Sequence, residues 1–95
     1  MGKPIYWSEA KSEQLRHRHG IGFEEIIIAM DQKKLIADRQ HANSKYQHQR
    51  ELIVEIETYA YVVPYVEDEA SIFFKTLFPS RVATRQYLTK GDDYE

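Results

Sequence analysis

The sequence predicts an α+β domain with two N-terminal helices, an antiparallel sheet of three to four strands and a C-terminal helix. Three observations carry this. Phe23, Ile26, Ile27 and Met30 recur at i, i+3, i+4 and i+7, the stripe of a half-buried helix. Glu51 to Glu57 alternates, with Leu52, Val54 and Ile56 on one side and three glutamates on the other, as a half-buried strand does. The elements then follow the order helix, helix, strands, helix, which places the helices against one sheet face.

Trp7-Ser8 followed by Glu9 to Arg18 reads as the first helix, with Ser8 as N-cap and Glu9 beside the positive end of the dipole. Gly20 stops it, and Arg16, His17, Arg18 and His19 suit its negative end. In the second helix, Glu24 and Glu25 occupy the first turn. Leu35-Ile36-Ala37 is a short strand, and the polar stretch Arg39 to Gln49, which has no apolar period, is a loop. Within Glu51–Glu57, Ile53 is the one exception to the alternation. Tyr59 to Val66 and Ser71 to Phe78 are aromatic and β-branched strands joined by a polar turn at Glu67-Asp68-Glu69. Pro64 removes a ladder donor and predicts a bulge or an unpaired edge. Tyr59, Tyr61 and Tyr65 share a strand face, and Phe73 and Phe74 point oppositely, which leaves apolar surface for a partner. Ser80 caps a last helix from Arg81 to about Lys90, stopped by Gly91. Residues 1–95 thus form one domain, with an ordered core at about 7–90 and a frayed tail at 91–95.

Composition narrows the class. Hydrophobic residues at 42% and charged residues at 29% belong to a soluble globular chain rather than a disordered one. The absence of cysteine removes disulfides, thiolate nucleophiles and thiolate metal sites. No apolar run is long enough for a membrane span and Met1 to Trp7 lacks a signal-peptide core, so a cytoplasmic protein with no membrane partner is expected. The net charge of −2 excludes a uniformly basic nucleic-acid binder and requires any such site to be a local patch.

Two sets of residues resemble a known family. Trp7, Lys11, His19-Gly20-Ile21 and Phe23-Glu24-Glu25 resemble the opening of BrnT toxins, and Thr76-Leu77-Phe78-Pro79-Ser80-Arg81-Val82-Ala83-Thr84-Arg85-Gln86-Tyr87-Leu88 resembles that family's last strand and helix. The resemblance spans Trp7 to Leu88. It implies a RelE-like fold, an endoribonuclease that inhibits translation, and the toxin role in a type II toxin–antitoxin system. The partners it implies are a BrnA-like antitoxin and RNA, free or ribosome-associated, with DNA reached only through the antitoxin. The sequence departs from the family at Glu57-Thr58-Tyr59, which lacks the Asn-Gly chemistry of a tight hairpin, and in its acidic net charge.

RNA cleavage without a metal or cofactor needs a base for the 2′-hydroxyl, cations for the phosphate and an acid for the leaving 5′-oxygen. Arg81 and Arg85, at i and i+4 beside Ser80 and the first free amides of the last helix, supply an anion site; the bland alternative pairs them with glutamates or an acidic antitoxin surface. Lys75 can join them from the last strand, or be only solvated. The loop bearing Arg39, His41, Lys45, Tyr46, His48 and Arg50 concentrates bases, cations and an aromatic ring, with His48 or Tyr46 as proton-transfer candidate. Tyr87 offers a stacking platform. His19 and Lys11 are secondary RNA-binding candidates, His19 equally readable as a partner of its own helix's last carbonyls. His17 and His19 project about 200° apart on a helix and make no zinc pair, so no metal is expected. The rival reading is a degenerate, non-catalytic toxin that acts by binding its antitoxin.

Overall fold

The computed structural model describes residues 2–40 and 49–88. They form β1 (Ile5–Tyr6), α1 (Glu9–His19), α2 (Phe23–Asp31), β2 (Leu35–Gln40), β3 (Gln49–Ile56), β4 (Tyr59–Glu67), β5 (Ile72–Phe74), β6 (Phe78–Pro79) and α3 (Arg81–Tyr87). The α+β class stands, but the sheet is mixed and six-stranded rather than a three- to four-stranded antiparallel meander. Its order is β1-β5-β4-β3-β2, with β6 also on β4, and β1 runs parallel to β5. No helix among the described residues is long and apolar enough to cross a membrane.

The helices do not share one face. Leu15, Phe23 and Ile26 from α1 and α2 pack with Leu52, Val54, Val63, Tyr65 and Phe74 on one side of the sheet. Ala83 of α3 packs with Ile53, Ala60 and Val62 on the other. The residue that broke the alternation, Ile53, is fully buried because the second face is also covered. Of the loop expected at Arg39–Gln49, Arg39, Gln40 and Gln49 are instead in strands, where Arg39 faces Glu51 and Gln40 faces Arg50, and 41–48 lie outside the described residues. The hairpin base hides its period because ion pairs, not apolar pairs, occupy it. The strand expected over Ser71–Phe78 is divided into β5 and β6. Of the last helix, Arg81 to Tyr87 is helical with Leu88 as C-cap; the expected extension to Lys90, the Gly91 stop and the tail lie outside the described residues.

Pro64 causes no bulge, for the β3–β4 register runs unbroken from Gln49↔Val66 to Ile56↔Tyr59. Its carbonyl accepts from Lys75 N–H at 2.9 Å, so its nitrogen also points toward β5, and it does so where that strand ends. The missing donor therefore costs the β3–β4 ladder nothing. The bulge instead falls in β2, between Leu35 and Ala37. The β3–β4 turn is a two-residue loop with Glu57 at φ 52° and Thr58 at φ 65°. Type I′ geometry demands this, and placing a glutamate and a β-branched threonine there costs about 1–2 kcal/mol per residue.

Local capping agrees with expectation. Ser8 Oγ accepts from Lys11 N–H at 3.1 Å, and Gly20 ends α1 at φ 80°, where a side chain would be strained. The corner that follows is polar and tightly satisfied. Ser12, 1% exposed, donates to Glu24 Oε1 and accepts from Phe23 N–H, while Arg16 Nη2 lies 2.8 Å from both Glu24 and Glu25. Gly22 donates its N–H to Glu25, and a Cβ on it would sit 2.6 Å from Ser12 Oγ and 2.7 Å from Arg16 Nη2. Space, not backbone angle, requires this glycine.

Hydrogen bonds from Arg16 first, and from Ser12, hold the Glu24 carboxyl at about 2, below its ordinary value of 4.5. A carboxyl depressed on folding adds stability above its unfolded value and loses it as pH falls toward the folded one. The thermal midpoint is therefore expected to drop between pH 4.5 and 2, and Glu24→Gln to flatten that slope in a calorimetric pH series. An identical slope in the variant would show that the corner carries none of the acid sensitivity.

Candidate nucleic-acid interface

α3 reaches its place through local hydrogen bonds. Ser80 Oγ accepts from Ala83 N–H at 3.0 Å, the Ser80 carbonyl accepts from the Thr84 hydroxyl at 2.7 Å, and Thr84 Oγ1 accepts from Ala60 N–H at 2.9 Å. Ser80 N–H in turn donates to the Ala60 carbonyl at 2.9 Å. This clamps the helix to β4 with Ala83 inward, so Arg81 and Arg85 come out exposed one turn apart. Ser80 is thereby occupied as a cap, and a seven-residue helix adds little dipole of its own. The arginine side chains, rather than the helix terminus, are what a phosphate would meet.

The α3 side of the sheet adds a row of residues across four segments. Arg39 on β2 faces Glu51 on β3, Glu51 faces Pro64 on β4, and Lys75 bonds to Pro64. Strand spacing puts the two cations at the ends of this row roughly 14 Å apart. Lys75 is exposed. Arg39 is not simply solvated, since its Nε lies 3.0 Å from Glu51 Oε1, its Nη1 reaches Gln86 Oε1 and the Tyr87 hydroxyl at 3.3 Å, and its guanidinium sits 5.8 Å from the Tyr87 ring centre. Burial opposes its charge, but the bonds to Glu51 and Tyr87 outweigh burial and hold the guanidinium above its ordinary pKa. The end of α3 and the base of the β2–β3 hairpin are thus joined.

Arg50 points to the other side. Its Nε lies 3.1 Å from Asp38 Oδ1 and 3.3 Å from the hydroxyl of Tyr65, which itself donates to Asp38 at 2.7 Å. Burial first, then the bond to Asp38, pushes the Tyr65 phenol up to about 12. Arg50 therefore ties hairpin to core and does not join the row. Lys11 and His19 lie on α1, across the sheet from α3, so the structure does not bring them to Arg81, Arg85 and Lys75 either. Burial, and then the charge of Arg18, lowers the pKa of His19 and favours its neutral form. His41, Lys45, Tyr46 and His48 lie outside the described residues; their flanks, Gln40 and Gln49, end the strands that carry Arg39 and Glu51.

Sequence reasoning gave Glu51 no role, placing it on the solvent side of its strand, yet it is only 9% exposed. Only the register that sets it opposite Arg39 reveals this, and the sequence carries no signal for it. Tyr87 is next to a guanidinium rather than open as a platform. Among the described residues no group of three His, Asp or Glu side chains is placed to hold a metal ion. Compared with family models, with curated proteins and with solved structures, the chain matches none.

Proposed function

We propose that the protein is the toxin of a type II toxin–antitoxin pair, a cytoplasmic, metal-independent endoribonuclease with a RelE-like fold that inhibits translation and is neutralised by a BrnA-like antitoxin. The observation that carries this reading is the exposure of Arg81 and Arg85 together on α3, on the sheet side that also presents Lys75 and the Arg39–Tyr87 pair. Cations so arranged suit an RNA backbone, whose transferring phosphate gains negative charge in the transition state. In the step proposed, a base drawn from His48 or Tyr46 takes the 2′-hydroxyl proton. The 2′-oxygen then attacks phosphorus, the P–O5′ bond breaks to leave a cyclic 2′,3′-phosphate, and the departing 5′-oxygen takes its proton from solvent water. Arg81 and Arg85 hold the phosphate and Lys75 contacts the adjacent backbone.

The resemblance to BrnT toxins supports the fold side of the reading more than the chemistry. Trp7 and Phe23 pack on Phe74, Gly20 ends a helix, Glu24 and Glu25 bind Arg16, and Ser80, Ala83 and Thr84 seat α3. These are residues a shared architecture would retain. One observation favours the second reading, a non-catalytic protein acting through its antitoxin: Arg39 and Arg50 are each bound to a carboxylate.

Induction of the protein alone is expected to halt growth and leave cleaved RNA, and the purified protein to cleave RNA with EDTA present. Normal growth with intact RNA would remove the nuclease reading and leave the binding one. Cleavage abolished by EDTA would move the assignment to a metal-dependent mechanism.

A further inference from the structure

α3 covers only part of its side of the sheet, packing over Ile53, Ala60 and Val62. The β5 end of that face stays open. Tyr6 stands beside Phe73 in the β1–β5 register, Phe73 beside Val66, and Phe78 beside Val62. Paired residues share a sheet face, and Val62 and Val66 share theirs, so all three rings project on the α3 side. Tyr6 is 56% exposed and Phe73 and Phe78 are 40% exposed each, and among the described residues no other aromatic residue is exposed. The remaining rings are packed in the core or against one another, as Trp7, Phe23 and Phe74 are, and Tyr59 with Tyr61. Single exposed aromatics are common, but here the whole set falls on one face.

A cation lies among them. Lys75 N–H bonds to the Pro64 carbonyl, which sets this exposed lysine at the level of Pro64, midway between Val66 and Val62. Strand rise puts the Phe73 and Phe78 levels roughly 13 Å apart with Lys75 between them, and strand spacing puts Tyr6 roughly 5 Å to the side of Phe73. Arg81 follows Phe78 at the start of α3 and is exposed. Between the Val66 and Val62 levels, the described strands carry one carboxylate on this face, Glu51, and Arg39 Nε binds it at 3.0 Å. Glu55 and Asp68 stand beyond the two ends of the stretch, and the Asp68 carboxylate accepts from the N–H groups of Ala70 and Ser71.

We propose that Tyr6, Phe73 and Phe78 form a stacking platform for unpaired RNA bases, with Lys75 on the phosphate that joins them. Open rings alternating with a cation suit planar bases linked by phosphates, and stacking accepts any base because each has a π-face. An acidic protein segment would satisfy the lysine but offers no planar groups to three rings. A duplex keeps its bases stacked inside and would leave the rings unused. The inference rests on the reading of the α3 side as the RNA face, and it extends that face from α3 along β5 to β1.

The test is fluorescence anisotropy of the full chain with a labelled, mixed-sequence 2′-O-methyl 12-mer oligoribonucleotide, which lacks the attacking hydroxyl and so reports binding without cleavage. Saturable binding of the single strand is expected, with the same strand annealed to its complement bound more weakly. Tyr6→Leu/Phe73→Leu keeps apolar bulk at both exposed positions but removes the rings, and should weaken single-strand binding about tenfold or more, whereas Phe73→Trp should retain it. Lys75→Gln should weaken binding and flatten its dependence on salt. Wild-type affinity in the folded leucine variant, equal affinity for duplex and single strand, or no saturable binding by the wild-type chain would each overturn the proposal. Cleavage of unmodified RNA by a leucine variant that binds like wild type would remove the platform and leave the nuclease. Ring-dependent binding in a protein that cleaves nothing would do the reverse.

Discussion

Replacing Phe23 with alanine is expected to lower the unfolding free energy by about 3–5 kcal/mol, the range for truncating a buried phenylalanine. The ring is fully buried at the start of α2 and joins two others, with centroids 5.7 Å from Trp7 and 5.8 Å from Phe74. Trp7 stacks on Phe74 in turn, at 6.1 Å and an interplanar angle of 14°. The cluster therefore couples the segment before α1, the start of α2 and strand β5. Its value must exceed the penalty at Trp7, whose buried indole N–H meets no acceptor among the described residues, a cost of roughly 1–3 kcal/mol. A domain of this size holds on the order of 5–15 kcal/mol in total, so the truncation removes a large part of it. A fall in the urea midpoint at unchanged slope would report that loss, and a midpoint within experimental error of wild type would show that the cluster is not central.

Removing Arg81 and Arg85 together is expected to eliminate growth arrest, with RNA cleavage falling by about 10²–10³-fold or more, the scale seen when one oriented donor to a developing oxyanion is lost. Both side chains project from a helix whose attachment is made by Ala83, Ser80 and Thr84, so the thermal midpoint should move little. Retained stability with lost cleavage separates phosphate binding from a role in holding α3. Full toxicity in a folded double variant would exclude the arginines from the reaction, and toxicity restored by lysine at both positions would identify charge, rather than the planar guanidinium, as the requirement.

What could be read from sequence is what is local in the chain. Ser8, Gly20 and Ser80 act on backbone groups within four residues, and the Phe23–Met30 stripe declares itself within two turns. Strand β1 was missed because two residues cannot display a period, and its partner lies far along the chain. The covering of both sheet faces was also missed, although Ile53 carried the sign of it; assigning the second face needs Ala60 and Val62 in register beside it. At the candidate site, Arg81, Arg85 and Lys75 were legible as residue types, and their common side of the sheet follows from α3 crossing behind it. The burial of Glu51 was not legible. A glutamate in an alternating strand normally marks solvent, and the ion pair with its ladder partner Arg39 helps make a covered carboxylate tolerable.

The parallel pairing of β1 with β5 sets an order of assembly. Joining residues 5 and 72 closes a loop whose entropy is roughly 3–4 kcal/mol by the logarithmic law, repaid at first by only two ladder positions. The β3–β4 hairpin, turned in two residues, meets no such delay. During synthesis Ile5 and Tyr6 emerge first yet must wait for Ile72 and Phe73, and in that interval β4 presents a bare edge rich in valine and tyrosine. The nascent chain is thus most exposed to pairing with another copy just before β5 leaves the ribosome, and slower expression or lower temperature should favour its correct closure.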